Sequence, residues 1–392
     1  MTMLVPHDET EAAALVQEAA ARGDKLRIQG NGTRSSLVAQ GTYDGVISAA
    51  AMAGVTLYEP AEMIIGAYAG TPVSVIEERL AQHGQALTFE PMDHRTLLGT
   101  EGEPTLGGLV AANVSGPKRI LAGAARDNVV GVRFVNGRGE VIKNGGRVMK
   151  NVTGLDLVRL MCGSWGTLGL MTEITLKVLP KAPDALTLAW PSLADGRAIA
   201  LLCQAMGTPF EVNGAAHLPG QGAAASTVIR LEGFPEQLDY RAGELAKILA
   251  EYGSPTRVSG DEHDVIWRAV RDVQALAEPV DRAIWKLSVP ADQGAAVVAA
   301  IRAERAAEVI YDWSGGLVWL AADAADGDAG AAVIRRQAAA VGGHATLVRG
   351  SAELAARVPV FTPEPAPLKK LSQGIKQSFD PKGVFNAGVM AA

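Results

Sequence analysis

Fifteen of the chain's 44 glycines fall between residues 92 and 180. So much glycine would suggest a linker, but linkers lack apolar periodicity. This stretch has it. Residues 129–135 and 140–143 alternate as strands around the turn Asn136-Gly137-Arg138-Gly139, and residues 168–179 read as another strand. Glycine lets a backbone come close to its neighbour because no side chain intervenes. The segment is therefore expected to be a folded scaffold whose main chain lies against something flat or anionic.

The flanking regions are more ordinary. Residues 8–22 read as a helix capped by Asp8 or Thr10, with Glu9 and Glu11 at its positive end and Gly23 as its stop. Short strands are expected at 25–29, 46–49, 55–59, 63–68 and 85–90, with a helix at 73–83. Beyond residue 184, strands and helices alternate. Strands at 186–190, 211–218 and 226–233 go with helices at 195–206 and 235–252. Strands at 284–289, 309–313, 317–321 and 345–349 go with helices at 291–305 and 329–341. Two such units suggest a ferredoxin-like α+β fold, doubled. Four prolines within residues 359–368 suggest an extended linker, followed by a short amphipathic helix at 369–379.

Composition narrows the function. With 36 basic and 42 acidic residues the net charge is -6, which disfavours a nucleic-acid partner. No apolar run reaches the roughly 18 residues of a membrane-spanning helix, and the N-terminus does not read as a signal peptide. A cytoplasmic location is expected, or one held at a membrane through partners. Cys162 and Cys203 are too few for a disulfide framework or an iron–sulfur cluster.

The loop Gly30-Asn31-Gly32-Thr33-Arg34-Ser35 begins like a dinucleotide fingerprint, but no helical period follows it. Consecutive amides can cradle phosphate without a helix. A plain glycine turn is the other reading. Later come Thr105-Leu106-Gly107-Gly108 through Asn113 to Gly116, then Gly123 to Gly131 with Asp127 and Val130. Lys150-Asn151-Val152-Thr153-Gly154, Gly163-Ser164-Trp165-Gly166 and the tail Asp380-Pro381 to Asn386-Ala387-Gly388 complete the set.

In order and spacing these motifs resemble the flavin-binding domain of the vanillyl-alcohol oxidase family, the PCMH type, over residues 5–180 and the last 20. The resemblance implies an α+β protein: a two-subdomain FAD-binding domain at 1–182 (about 1–91 and 92–182), a ferredoxin-like cap at 183–358, and a linker and returning segment at 359–392. It implies that Gly30, Asn31, Gly32, Thr33, Arg34 and Ser35, with Thr105, Gly107 and Gly108, wrap the FAD pyrophosphate through backbone amides. Asn113, Gly116, Asp127, Val130 and Gly131 match positions lining the ribityl, ribose and flavin. Ile174 matches a strand position whose backbone meets the cofactor, and Asn386 a tail residue near the isoalloxazine. The first loop has no histidine or cysteine to tether FAD, so the cofactor is expected to be non-covalent. His94, outside the loop, reads as ordinary.

Within that family the chain is similar to the smaller FAD-binding subunits of bacterial glycolate oxidase complexes. Related D-2-hydroxyacid dehydrogenases carry H-x-G-D-G-N-x-H, whose histidines hold a divalent metal. Here the stretch is Asp312-Trp313-Ser314-Gly315-Gly316-Leu317-Val318-Trp319. Indole cannot ligate a metal, so no family-type metal site is expected. The resemblance implies an accessory or electron-transferring flavin subunit that works with a catalytic FAD-linked subunit and an iron–sulfur subunit on a small 2-hydroxy acid. A stand-alone metal-independent flavin oxidoreductase acting on a hydroxy acid or alcohol, or a scaffold without redox work, stays open. Arg268 and Arg271 lie near a W-x-x-R pattern that grips substrate carboxylate in the dehydrogenases, though a helix-surface pairing with Asp264 or Asp272 explains them too. Arg119, beside Lys118, is a second anion candidate.

Overall fold

The first helix starts and stops where its side chains dictate. In the computed structural model, Asp8 accepts a hydrogen bond from the Glu11 amide (2.8 Å), and Gly23 closes Glu9–Arg22 at φ 81°. The structure describes residues 1–34, 41–146, 154–220, 225–324 and 327–390. Ser35 and the segment Lys150-Asn151-Val152-Thr153 therefore lie outside the described residues.

Three short strands, β1 (Thr2–Leu4), β2 (Leu26–Gln29) and β3 (Gly45–Ser48), form a parallel sheet in the order β1-β3-β2. The tail returns to its edge: the Leu26 amide donates to the Val384 carbonyl and the Asn386 amide to the Leu26 carbonyl. Seven strands follow: β4 (Val55–Glu59), β5 (Ile64–Tyr68), β6 (Gln85–Ala86), β7 (Val129–Val135), β8 (Val141–Gly145), β9 (Leu170–Lys177) and β10 (Leu179–Pro180). Five of them make an antiparallel sheet, β4-β5-β9-β7-β8, and β6 pairs with β10. The glycine-rich segment also carries short helices that alternation does not reveal, among them Leu106–Ala111 and Leu157–Met161.

The remaining strands are β11 (Asp184–Pro191), β12 (Gly214–Leu218), β13 (Ser226–Gly233), β14 (Thr256–Val258), β15 (Ala283–Ser288), β16 (Glu308–Asp312), β17 (Leu317–Ala322) and β18 (His344–Arg349). They form one antiparallel sheet, β14-β11-β13-β12-β16-β17-β15-β18. Each half is a strand–helix–strand–strand–helix–strand unit with its fourth strand beside its first, so the ferredoxin-like pattern occurs twice. The halves join edge to edge through β12 and β16.

Side-chain alternation gives this sheet two different faces. Trp285, Leu287, Val318 and Leu320 pack against the sheet's own helices. Ile284, Ile310, Trp319 and Ala321 face the other way and share a core with Phe89, Leu109 and Ile174 of the N-terminal half. The sheet thus sits directly on the glycine-rich scaffold. The expected extended linker is shorter than its prolines suggest. The last helix already begins at Ala366 and includes Pro367, because proline is tolerated in a helix's first turn. Trp267, Arg268 and Arg271 lie on the helix Gly260–Arg271, with a spacing one residue longer than W-x-x-R.

Candidate functional site

The first glycine loop is held from behind. The Ser48 hydroxyl donates to the Gly30 carbonyl (3.0 Å), the Thr100 hydroxyl to the Thr33 carbonyl (2.9 Å) and the Asn31 side-chain amide to the Glu103 carbonyl (3.0 Å). In a trans peptide the carbonyl and the following N–H point in opposite directions. Fixing the Gly30 and Thr33 carbonyls therefore turns the Asn31 and Arg34 amides the other way. The amides of Asn31, Gly32, Thr33 and Arg34 have no acceptor among the described residues. Such a run of open amides suits an anion. The loop packs so closely on its support that a side chain at Gly30 has no room: a Cβ there would lie 2.2 Å from the Thr105 hydroxyl oxygen.

Facing the loop is a cleft with about 730 Å³ of empty space, part of it open to solvent. Its wall includes Ala69, Ala111, Ala112, Leu170 and Met171, with Thr105, Gly107 and Gly108 beneath and Trp165, Gly166 and Asn386 at one end. Asn386 is 2 % exposed, accepts from the Ile28 amide (2.8 Å) and donates to the Trp165 carbonyl (2.6 Å). Gly166 stands at φ 69°, where a Cβ would meet the Asn386 side chain at 2.7 Å.

The cavity thus brings together Gly30, Asn31, Gly32, Thr33, Arg34, Thr105, Gly107, Gly108 and Asn386. One expected role changes. The amides of Leu106, Gly107 and Gly108 are already taken by the Thr71 carbonyl, the Ala69 carbonyl and the Thr105 hydroxyl. That segment offers the cavity close backbone, not free donors. Asn113, Gly116, Asp127, Val130, Gly131 and Ile174 do not line it. Asn113 accepts from the Arg126 amide and Asp127 from the Ala124 amide. Gly116 packs on the Glu90 carbonyl, Val130 accepts from the Gly146 amide, and Gly131 sits against Gly146. Ile174 is fully buried in β9.

Arg34 leads away from the cavity into an interior that sequence reasoning missed. Its Nε donates to His94 Nδ1 (3.2 Å). Burial brings the Arg34 guanidinium down to about 10. Burial, then Arg34 and Lys286, hold His94 well below its ordinary value, so this imidazole is neutral. The Lys286 ammonium lies 5.6 Å from the Trp313 ring centre and 5.7 Å from that of Trp319. Arg119 lies over the same Trp313 ring, 4.7 Å from its centre. The signal was present in the tryptophans of the Asp312-to-Trp319 stretch, but nothing in sequence linked them to residues 34, 94 or 286.

The other arginine candidates separate. Arg268 is exposed. Arg271 is held bidentately by Asp272 (both 2.8 Å). Lys118 pairs with Glu232 at 2.7 Å. Cys162 and Cys203 are free thiols, and burial pushes Cys162 up to about 12. No group of three or more metal-ligating side chains occurs among the described residues, and none of their helices is long and apolar enough to cross a membrane.

Asp312 is 3 % exposed and accepts from the Trp313 amide (2.7 Å). Burial pushes its carboxyl up to about 7, although the Trp313 amide and Arg230 oppose the rise. A group whose folded pKa lies above its unfolded value of about 3.9 binds its proton more readily in the folded state. Its contribution is complete below that unfolded value and is lost as pH rises toward 7. Asp312→Asn is therefore expected to raise stability at pH 8 and leave it unchanged at pH 4. Thermal melts at the two pH values check this.

An FAD-binding flavoprotein of the PCMH type is the class that this fold and cavity define. A family model described as an FAD binding domain matches residues 2–145. The solved structure of an alkyldihydroxyacetonephosphate synthase superposes with a TM-score of 0.70 over 98 % of this chain and 75 % of that one, at 17 % identity. Glycolate oxidase subunit GlcE of Escherichia coli K12 is 35 % identical over 340 residues, 86 % of this chain and 85 % of that protein. The chain belongs to the family of that subunit. Shorter matches include glycolate oxidase subunit GlcD of Bacillus subtilis, 42 % identical over 21 % of this chain and 18 % of that one. A D-lactate dehydrogenase of Anaerostipes hadrus is 30 % identical over 48 % of this chain and 38 % of its own length.

Proposed function

We propose that this chain is the non-covalent FAD subunit of a glycolate oxidase-type complex that oxidises glycolate to glyoxylate. In it a second FAD-linked subunit carries the main oxidation, and an iron–sulfur subunit takes the electrons onward. The observation that carries this reading is the match to GlcE over 86 % of this chain, joined to a cavity beside four amides that have no acceptor among the described residues. The residues present fit the cofactor. Asn31 to Arg34 would receive the pyrophosphate charge, with Ser35 continuing the loop. The small side chains of Ala69, Ala111 and Ala112 would leave room for a flat ring, and Asn386 would stand at one end. The further residues that the resemblance points to, Asn113, Gly116, Asp127, Val130, Gly131 and Ile174, would stand behind this shell. Bound FAD supplies acceptance of an electron pair and its release in single steps.

The accessory role rests on donor chemistry. At the positions where related dehydrogenases hold metal, Asp312 is buried against the Trp313 amide and Trp319 offers an indole. Polarising a hydroxyl with a metal is worth several kcal/mol of barrier, and these two side chains are not a pair suited to holding one. The chain's own residues then bind and orient the cofactor rather than activate a hydroxyl.

The test uses the purified chain, its flavin absorbance and anaerobic glycolate. The expected result is a flavin that stays oxidised with the chain alone and bleaches once the partner subunits are added. Bleaching with the chain alone would make it a complete enzyme. Failure to take up FAD on reconstitution would remove the cofactor reading.

A further inference from the structure

Lys286 lies on β15, the next-to-last strand of the eight-stranded sheet, and faces the N-terminal half. Its neighbours Trp285 and Leu287 point into the helix-covered core, so alternation along β15 sends Lys286 to the opposite face. There it stands directly across from Trp319 on β17. Its ammonium meets two indole faces and makes no hydrogen bond or ion pair to any described residue. Arg119 comes from the N-terminal half to the same Trp313 ring, with only a long contact to the Ser115 hydroxyl at 3.4 Å. Two like charges therefore share one aromatic ring in a partly desolvated interior.

The nearby carboxylates are spent, weak or exposed. Glu90 is engaged bidentately by Arg230 (2.9 and 2.8 Å). Asp127, the acid that offsets part of the lowering of Arg119, is exposed and accepts from the Ala124 amide. Asp312 is turned into the Trp313 amide. Burial and Arg119 bring Lys286 down to about 8, and Asp312 offsets only part of that. Desolvated like charges repel, and such a pair persists most readily where an anion completes it. Trp313 is itself held in place by its Nε1 bond to the Gly116 carbonyl (3.1 Å).

We propose that Lys286 and Arg119, set around Trp313 and Trp319, bind the carboxylate of a small 2-hydroxy or 2-oxo acid on this subunit. The proposal rests on the reading of the chain as part of a hydroxy-acid-oxidising complex, and names a binding site rather than an oxidation step. It gives this subunit a direct means of sensing the complex's substrate or product. The cations come from opposite sides of the contact between sheet and scaffold, so an occupied site would also draw those two parts together.

The test is titration of the full-length, FAD-loaded chain with glycolate, glyoxylate and oxalate, read by tryptophan fluorescence and calorimetry, with sulfate as a comparison anion. Saturable binding of at least one of the three carboxylates is expected, with sulfate at least tenfold weaker. Lys286→Gln and, separately, Arg119→Gln should each weaken binding about tenfold or more, the usual cost of losing a charge-assisted contact. FAD content and melting temperature monitor folding and the cofactor reading separately. Absence of saturable binding by the parent, equal binding of sulfate, or parent-like affinity in a folded Lys286→Gln variant would overturn the site. Loss of FAD from the parent would instead count against the proposed function.

Discussion

Replacing Arg230 by alanine is expected to destabilise the protein by about 3–5 kcal/mol, the range for breaking a buried ion pair from one side. Arg230 is 2 % exposed in β13, donates to both oxygens of Glu90 and to Asn213 Oδ1, and lies 4.3 Å from the Trp267 ring centre. Glu90 belongs to the N-terminal half, so the pair pins the eight-stranded sheet to the scaffold. Burial alone would raise the Glu90 carboxyl, but Arg230, with Lys118 and Arg271, holds it below its ordinary value. The pair's contribution is therefore present above the unfolded carboxylate value of about 4.3 and lost as pH falls through the lower folded value. Denaturant unfolding across pH 3–8 checks both parts. The alanine variant should show its largest deficit near neutrality, converging on the parent in acid. Replacing both partners with apolar residues of similar size should recover much of the loss.

Asp380→Ala should free the C-terminal tail. Asp380 is 1 % exposed and accepts from the amides of Val384 and Phe385, both buried, and from Lys376. Removing it leaves two buried amides without their acceptor, at about 1–3 kcal/mol for each group left unsatisfied, while Lys376 keeps the Thr167 and Phe385 carbonyls. The cost should exceed the stability of the local segment, so residues 380–390 open while the rest stays folded. Asn386 would then release Ile28 and Trp165 at the end of the cavity. Hydrogen exchange should show the tail amides losing protection, and FAD should be retained more weakly on gel filtration. Asp380→Asn, which keeps one accepting oxygen in place, should fall between parent and alanine. A protected tail in the alanine variant would refute this account.

Much of the architecture was legible because strand alternation and glycine punctuation act locally. The cap Asp8, the stop Gly23 and strand Val129–Val135 follow from neighbouring residues alone. The doubled strand–helix pattern was legible for the same reason. The helix Leu106–Ala111 was not, since Gly107 and Gly108 argue against a helix and only the Thr105 cap and packing against Ala69 favour it. The chain's local grammar also separated the first glycine loop from a dinucleotide fingerprint, because no helix follows it.

What the sequence alone determined is where the backbone could approach closely, and hence that a loop, a glycine segment and a tail could gather around one ligand. It did not determine which amides would remain open. Gly107 and Gly108 read as donors, yet contacts from Ala69 and Thr105 consume theirs, while Ser48 and Thr100 leave those of Asn31 and Arg34 available. Nor did it place Arg34, His94, Arg119 and Lys286 in one interior, since they are separated by up to 252 residues. Local propensity is set by neighbours along the chain, whereas charge, burial and hydrogen-bond satisfaction are set by neighbours in space, and those exist only once the sheet has closed over the scaffold.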